Sequence, residues 1–362
     1  MTETIKVGIV GAHAERGWAR AVHLPALTAL PDYTITAVAG TSAESARAAA
    51  GVWGAAHAFD DPYELMTHPD VDLVVIAVQL PRRDGLVDAA VAAGKHVYCE
   101  WPLALTAASA DGFRARAQAA GVRHAVGLQS RNHPAVRHLR DLVADGRVGE
   151  VLSATLTYSL AAPDVWSRRY AALFDATKGV NHLAVVGGHS LDMFRSVVGD
   201  FSELSATLAT RITSVTLEET GEPIAVTSPD QIVIGGLLQS GAAASAHFMT
   251  GGPAGDGFRI EVHGRAGRLV LRAANDSLVG PEFTLYASDG TNPPVRLPVP
   301  DRRRIPDVPV AHGNVVEVYR DLAHGIRTGQ PITPDFGTAA ATHRLLDAIR
   351  EAAATGTRQQ LR

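Results

Sequence analysis

Ile5-Lys6-Val7-Gly8-Ile9-Val10-Gly11-Ala12-His13-Ala14-Glu15-Arg16-Gly17-Trp18-Ala19 is an apolar β run that ends in Gly11 and turns into a segment with helical spacing of its apolar residues. That is the grammar of a first strand, turn and helix. In a dinucleotide-binding unit the first glycine makes the tight turn and the second lets a pyrophosphate approach the backbone. The helix N-terminus then offers N–H groups and the positive end of its dipole. Here only the first glycine is in place. His13 stands where the second would fall, and the third comes at Gly17, one residue late for G-x-G-x-x-G. A strand-to-helix connection without a ligand is the competing reading, so the flanking sequence has to decide.

Working outward, the helical pattern runs to Leu30, Pro31 stops it, and a strand follows from Tyr33 to Ala39. Thr41-Ser42-Ala43-Glu44 has capping-box spacing, and Asp61-Pro62-Tyr63-Glu64 repeats the device. The continuous apolar run from Val71 to Val78 suits a strand buried on both faces of a parallel sheet. Strands His96 to Glu100 and Arg123 to Leu128 flank a helix from Thr106 to Ala120 that Gly121 ends. Residues 1–128 therefore read as an α/β domain with a six-strand doubly wound Rossmann sheet. From Val151 the pattern changes. The strands Val151–Tyr158, Phe201–Arg211, Gln231–Leu238, Ala243–Met249 and Phe258–His263 follow one another mostly without helices, and several alternate as if one face were buried. Residues 129–362 read as an α+β domain on a large open, mostly antiparallel sheet, interrupted by a helix from about Val180 to Val198. The segment from Pro293 to Pro309 reads as an extended loop. Val315, Tyr319, Leu322 and Ile326 then mark an amphipathic helix, and a last helix at 335–355, stopped by Gly356, has the option of packing back on the first domain.

The chain has 362 residues, 46% of them hydrophobic and 19% charged, with a net charge of -4, which suits two filled cores and argues against nucleic-acid or membrane binding. The expected partner is a small molecule. A single cysteine, Cys99, excludes an internal disulfide, and no apolar stretch has the length of a membrane span, so a cytoplasmic location is expected. An open sheet with one face bare of helices predicts a homodimer or homotetramer.

Two further phrases carry a family likeness: Gly94-Lys95-His96-Val97-Tyr98-Cys99-Glu100-Trp101-Pro102 and Gly187-Gly188-His189-Ser190-Leu191-Asp192. Together with the first turn, His23-x-Pro25, Gln129-Ser130-Arg131 and the stretch from Asp145 to Glu150, they make the chain resemble the glucose-fructose oxidoreductase and inositol dehydrogenase family (Gfo/Idh/MocA) over essentially its whole length. Within that family it resembles the branch containing the fungal repressor of galactose genes. The resemblance implies a nicotinamide cofactor across the first domain and a sugar or polyol on the sheet of the second. It assigns cofactor contacts to Gly11, His13, Arg16, Gly17, Trp18, Val78, Gln79, Glu100, Trp101, Gln129, Arg131, Trp166 and Arg168. It assigns substrate contacts to Trp101, Tyr170, His189 and Asp192. Two departures stand out. The family usually has Glu-Lys-Pro where this chain has Glu100-Trp101-Pro102, and an aspartate where it has Val185. Indole can stack on a ring, but it donates only and carries no charge, so it cannot assist proton transfer.

His189 is the first catalytic candidate, because an imidazole titrates near neutrality and can take a hydroxyl proton as hydride leaves the same carbon. A packed, hydrogen-bonded histidine is the alternative. His182 lies seven residues earlier, close to two α-helical turns, and could supply the titratable group that Val185 lacks; a capping donor is the alternative there. Lys178, the one lysine outside the first domain, is the third candidate, against a solvated loop residue. Lys95 is expected at the surface, outside the chemistry. At the end of the second strand, Gly40-Thr41-Ser42 offers no acid for a ribose 2'-hydroxyl, and Arg47 is near enough to meet a 2'-phosphate, which favours NADP over NAD. Helix capping competes as the role of Thr41. Two functions stay open: an NAD(P)-dependent oxidoreductase acting on a sugar-like alcohol or ketone, and a non-catalytic cofactor-binding sensor that regulates a protein partner. Neither calls for a metal.

Overall fold

Six parallel strands build the first sheet: β1 (Ile5–Val10), β2 (Tyr33–Ala39), β3 (His57–Phe59), β4 (Leu73–Ile76), β5 (His96–Cys99) and β6 (His124–Val126), in the order β3-β2-β1-β4-β5-β6. Every residue of β4 is buried, as its unbroken apolar run requires of a strand covered on both faces. The strand order reverses between β1 and β4, where doubly wound sheets bind ligands at the carboxyl ends of their strands. The computed structural model describes residues 3–162, 164–251, 257–273, 282–300 and 310–361. It divides into two units, Met1–Gln129 with Ile305–His343, and Ser130–Arg304 with Arg344–Arg362.

Helices α1 (Leu24–Thr28), α2 (Ala43–Trp53), α3 (Pro62–Thr67), α4 (Arg83–Ala92) and α5 (Ala107–Ala119) alternate with these strands. A π-helical turn, Ala19–His23, leads into α1, so regular α-helix begins only at Leu24, well past Gly11. The cap of α2 also differs from the sequence expectation. Ser42 is extended and exchanges side-chain-to-backbone hydrogen bonds with Ser45, so the box is one residue later than Thr41 and Glu44. Further along the chain, Val315, Val318, Tyr319 and Leu322 of the helix Val310–Thr328 join the same core as Ile5, Val7 and Ile9. Residues 310–343, which the sequence pattern assigns to the second domain, therefore belong to the first unit.

In the second unit, α6 (Pro134–Ala144) and α7 (Gly188–Val198) accompany nine strands: β7 (Val151–Leu160), β9 (Phe201–Ala209), β12 (Gln231–Leu238), β13 (Ala243–Thr250), β14 (Gly257–Gly264), β15 (Gly267–Ala273), β16 (Thr284–Ser288), β17 (Val295–Leu297) and β18 (Gln359–Gln360). Their order is β17-β16-β15-β14-β7-β13-β12-β9-β18, and the one parallel pair is β7 with β13. β8 (Val165–Trp166), β10 (Ser214–Leu217) and β11 (Pro223–Ala225) form a separate small sheet. Alternation sets the two faces of the large sheet. Ile232, Ile234, Ala246 and Phe248 are buried, whereas Val233 and Leu237 are 46% and 39% exposed on the other side. The proline-rich segment expected to be a loop contains β17, and its portion at 301–309 lies outside the described residues. The chain is completed by α8 (Val310–Thr328) and α9 (Phe336–Thr355), the latter followed by Gly356 at φ +68°. Among the described residues no helix is long and apolar enough to cross a membrane.

Candidate functional site

The carboxyl edge of the first sheet gathers most of the expected cofactor residues. Gly11, after β1, holds φ +95°, and a Cβ there would lie 2.8 Å from the carbonyl oxygen of Ala77. Only glycine lets this turn pass the end of β4. The N–H groups of Gly11 and Ala12 both donate to the Ala39 carbonyl, at 3.1 and 3.3 Å, tying the turn to β2. The chain then runs without helix past Gly17, at φ +94°. Glu15 N–H donates to His13 Nδ1 at 3.1 Å, while Arg16 Nε lies 3.3 Å from His13 Nε2. A neutral imidazole accepts at one nitrogen, so these two contacts exclude each other. After β2, Thr41 and Arg47 are exposed and Ser42 caps α2. After β4, Val78 is half-buried over Gly11, and Gln79 is exposed.

The residues after β5 depart from expectation, for Glu100 and Trp101 are 6% and 5% exposed. Glu100 Oε1 accepts a hydrogen bond from His23 Nε2 at 2.8 Å, and His23 Nδ1 pairs with the Tyr319 hydroxyl at 2.7 Å. Tyr33 in turn donates to the Tyr319 carbonyl at 2.6 Å. Arg83 donates to the carbonyls of Val78, Glu100 and Pro102, which knits the loops after β4 and β5 together. Burial alone would push the Glu100 carboxyl up. The hydrogen bond and charge of His23, the charge of Arg83 and the neighbouring Trp18 indole outweigh it and hold the group below its ordinary value. Gly127 makes room for this carboxylate, since a Cβ there would sit 2.5 Å from Glu100 Oε2. Where the resemblance implies a cofactor contact, Glu100 is thus the centre of a buried network. Trp101, expected against a substrate ring, lies 4.5 Å from the His343 ring instead. Gln129 is also buried. Lys6 and Lys95 stand at the amino ends of β1 and β5, away from this edge. Lys95, rather than floating at the surface, donates to the carbonyls of His68 and Val71 at 3.1 and 2.7 Å.

In the second unit, Arg131 and Asp192 meet each other rather than remaining open to ligands. Nε donates to Oδ2 at 2.8 Å and Nη2 to Oδ1 at 2.6 Å, with Asp192 wholly buried. Breaking such a buried bidentate pair by deleting one partner costs about 3–5 kcal/mol, which gives Asp192 a structural role. His189 is half-buried on α7. Ahead of it, a π-helical turn spans Leu183–Gly187. The wider turn inserts a residue relative to an α-helix, a phase change of about 100°, so seven residues no longer return His182 and His189 to one face. His182 instead closes a row of rings: Tyr170 to Trp166 at 5.7 Å, Trp166 to Phe174 at 5.3 Å, and Phe174 to His182 at 6.4 Å. Burial lowers the pKa of His182, partly opposed by Asp230. Lys178 is exposed, 3.9 Å from Asp175, and Arg168 receives Glu219 at its backbone N–H, leaving its side chain to solvent. Sequence reasoning assigned no role to His23, Arg83 or Tyr319 in this network. His23-x-Pro25 was its one visible trace.

Comparison with known proteins completes the picture. A family model described as an oxidoreductase family with an NAD-binding Rossmann fold matches residues 5–128, and one for the C-terminal domain of Gal80p matches residues 134–273. The dehydrogenase aclE of Aspergillus oryzae is 36% identical over 215 residues, 57% of this chain and 58% of that protein, so the chain spans under two thirds of that relative's length. A 1,5-anhydro-D-fructose reductase of Ensifer adhaerens is 31% identical over 241 residues, 66% of this chain and 68% of the enzyme. The solved structure of a super-repressor mutant of Gal80p from Saccharomyces cerevisiae superposes with a TM-score of 0.87 over 99% of both chains at 21% identity, which shows a shared fold.

The Glu100 network predicts an acid-sensitive first unit. A carboxylate held below its ordinary value of 4.5 contributes stability that is fully present above that pH and is lost as pH falls below it. Glu100→Gln should cost about 1–3 kcal/mol at pH 7 and flatten the loss of stability between about pH 5 and pH 3. Urea unfolding across that range checks it, and an unchanged acid slope in the variant overturns it.

Proposed function

Since the chain belongs to the Gfo/Idh/MocA oxidoreductase family, we propose that it is an NADP(H)-dependent oxidoreductase acting on the alcohol or ketone carbon of a sugar- or polyol-like substrate. The observation that carries this reading is the convergence of Gly11, Thr41, Arg47, Val78 and Gln79 on one edge of the first sheet, around a turn that only glycine can make. These residues fit a dinucleotide. The cradle at Gly11 is one that a Cβ would fill, and Thr41 and Arg47 are exposed where the end of β2 has no acid to repel a 2'-phosphate. When bound, the nicotinamide supplies or accepts the hydride. His189 holds the hydroxyl proton that leaves or rejoins the substrate oxygen, and His182, whose pKa burial lowers, tunes that exchange from its contact with Thr250 Oγ1 at 3.5 Å. The reading also takes in Arg16, Trp166 and Arg168 toward the cofactor and Tyr170 toward the substrate.

A specific observation favours the second reading, a sensor without catalysis. Trp101 and Val185 replace two proton-handling side chains, both lysines of the first unit, Lys6 and Lys95, stand away from its carboxyl edge, and the second unit matches the Gal80p model. Absorbance of the reduced nicotinamide with a panel of sugars, inositols and keto-sugars separates the two. A protein that binds NADPH and turns over none of them is the sensor.

Three outcomes follow from the enzyme reading. NADPH should bind more tightly than NADH in a fluorescence titration, with Arg47→Ala losing roughly tenfold of NADPH affinity; an NADH preference of about tenfold, or about 1.4 kcal/mol, overturns it. His189→Ala should cut turnover by roughly a hundredfold with cofactor affinity kept, and His182→Ala should move the acidic limb of the pH–rate profile. An active enzyme indifferent to both substitutions refutes these roles. Finally, the face that exposes Val233 and Leu237 supports a homodimer or homotetramer, and light scattering that finds only monomer at micromolar concentration counts against it.

A further inference from the structure

The amino ends of the parallel strands, opposite the Gly11 turn, gather a second set of ligating side chains. His57 opens β3, His68 caps α3, and Asp70 follows two residues later on the way to β4. His57 Nε2 lies 3.3 Å from Asp70 Oδ2, and the His57 and His68 rings approach to 4.1 Å between centroids. One ligand atom from each of the three residues lies within 4.8 Å of the others, and all three are half-buried. Zinc binds imidazole nitrogen and carboxylate oxygen at about 2.0–2.2 Å, which puts neighbouring ligands of a tetrahedral site about 3.3 Å apart. His57 and Asp70 already stand at that separation, and the His68 ligand atom lies within 4.8 Å of both.

The surroundings hold these groups in place. His68 is extended, with φ -68° and ψ 135°, as a residue before proline should be, so Pro69 stiffens the link between His68 and Asp70. Lys6 Nζ binds the other carboxylate oxygen, Asp70 Oδ1, at 3.0 Å, leaving Oδ2 toward His57. The lysine orients the carboxylate as an outer-shell partner does, and its charge tempers the affinity for a dication. His68 Nδ1 accepts the Asp70 N–H at 3.2 Å, a long contact that a metal–nitrogen bond can displace.

We propose that His57, His68 and Asp70 form a site for Zn2+ or a neighbouring late first-row divalent cation, with solvent completing the coordination. Two imidazoles and one carboxylate select such ions over Mg2+ and Ca2+, which prefer oxygen ligands. The bound ion joins the start of β3, the end of α3 and the entry to β4, so it stabilises the first unit by linkage.

Calorimetric titration of the tag-free, chelator-treated full chain with Zn2+ tests this. The expected result is one ion per chain with a Kd of about 1–10 µM and a melting temperature that rises with Zn2+. His57→Gln and His68→Gln should each weaken binding by about tenfold or more, while His324→Gln, at an exposed histidine on α8, leaves it unchanged. Circular dichroism and melting of each metal-free variant check that the fold survives substitution at these half-buried positions. No saturable binding below about 100 µM, binding retained in both histidine variants, or equal competition by Mg2+ overturns the site.

Discussion

A buried carboxylate is the constraint on which the first unit depends. Taking Glu100 out of water costs several kcal/mol unless partners replace its hydration, and every partner comes from a different part of the chain. His23 follows the first turn, Arg83 opens α4, and Tyr319, which fixes the far nitrogen of His23, lies 296 residues beyond it. The network can form only if the chain, after building the second unit's strands, returns α8 to the first sheet. This is the physical reason why residues well past the apparent domain boundary belong to the Rossmann core.

The same network shapes the carboxyl edge. Arg83, 7% exposed, holds the carbonyls of Val78, Glu100 and Pro102 with one guanidinium, so the loops after β4 and β5 are fixed relative to each other and to the Gly11 turn beneath Val78. A fixed edge suits a ligand that must be oriented. Its cations divide by exposure, with Arg83 turned inward to carbonyls while Arg16 and Arg47 remain toward solvent. That division favours an anionic ligand and supplies no proton donor at the end of β5, because Trp101 stands there and is itself buried against His343.

Periodicity made the strands legible. The apolar run around β4 and the alternation of β12 name their own burial, and a cap such as Thr106 on α5 sits where its hydroxyl reaches the Ser109 N–H. Short or phase-shifted elements were not legible. β3 has three residues, too few for a period, and the α2 cap fell on Ser42 because the residue three further on, Ser45, reaches back. The side-chain pairs that decide the site were invisible for a different reason. His23 with Glu100 and Arg131 with Asp192 are separated by 77 and 61 residues, and no local pattern shows that a motif residue already has a partner. Glu100 and Asp192 looked like ligand contacts because their motifs are visible and their counter-ions are not.

Partner accounting also sorts the histidines. Each unit contains a π-helical turn at Ala19–His23 or Leu183–Gly187, a geometry that persists where surrounding packing demands it. In the first unit the turn delivers His23 into a histidine–carboxylate pair of the kind that orients a general base. Both His23 nitrogens are engaged, however, and the side chain has no exposed surface, so it cannot meet a substrate oxygen without dismantling the core. In the second unit the turn separates His182 from His189, and both keep part of their surface. The two imidazoles therefore stand on different faces and make separate contacts, rather than lying one above the other along a single helix face.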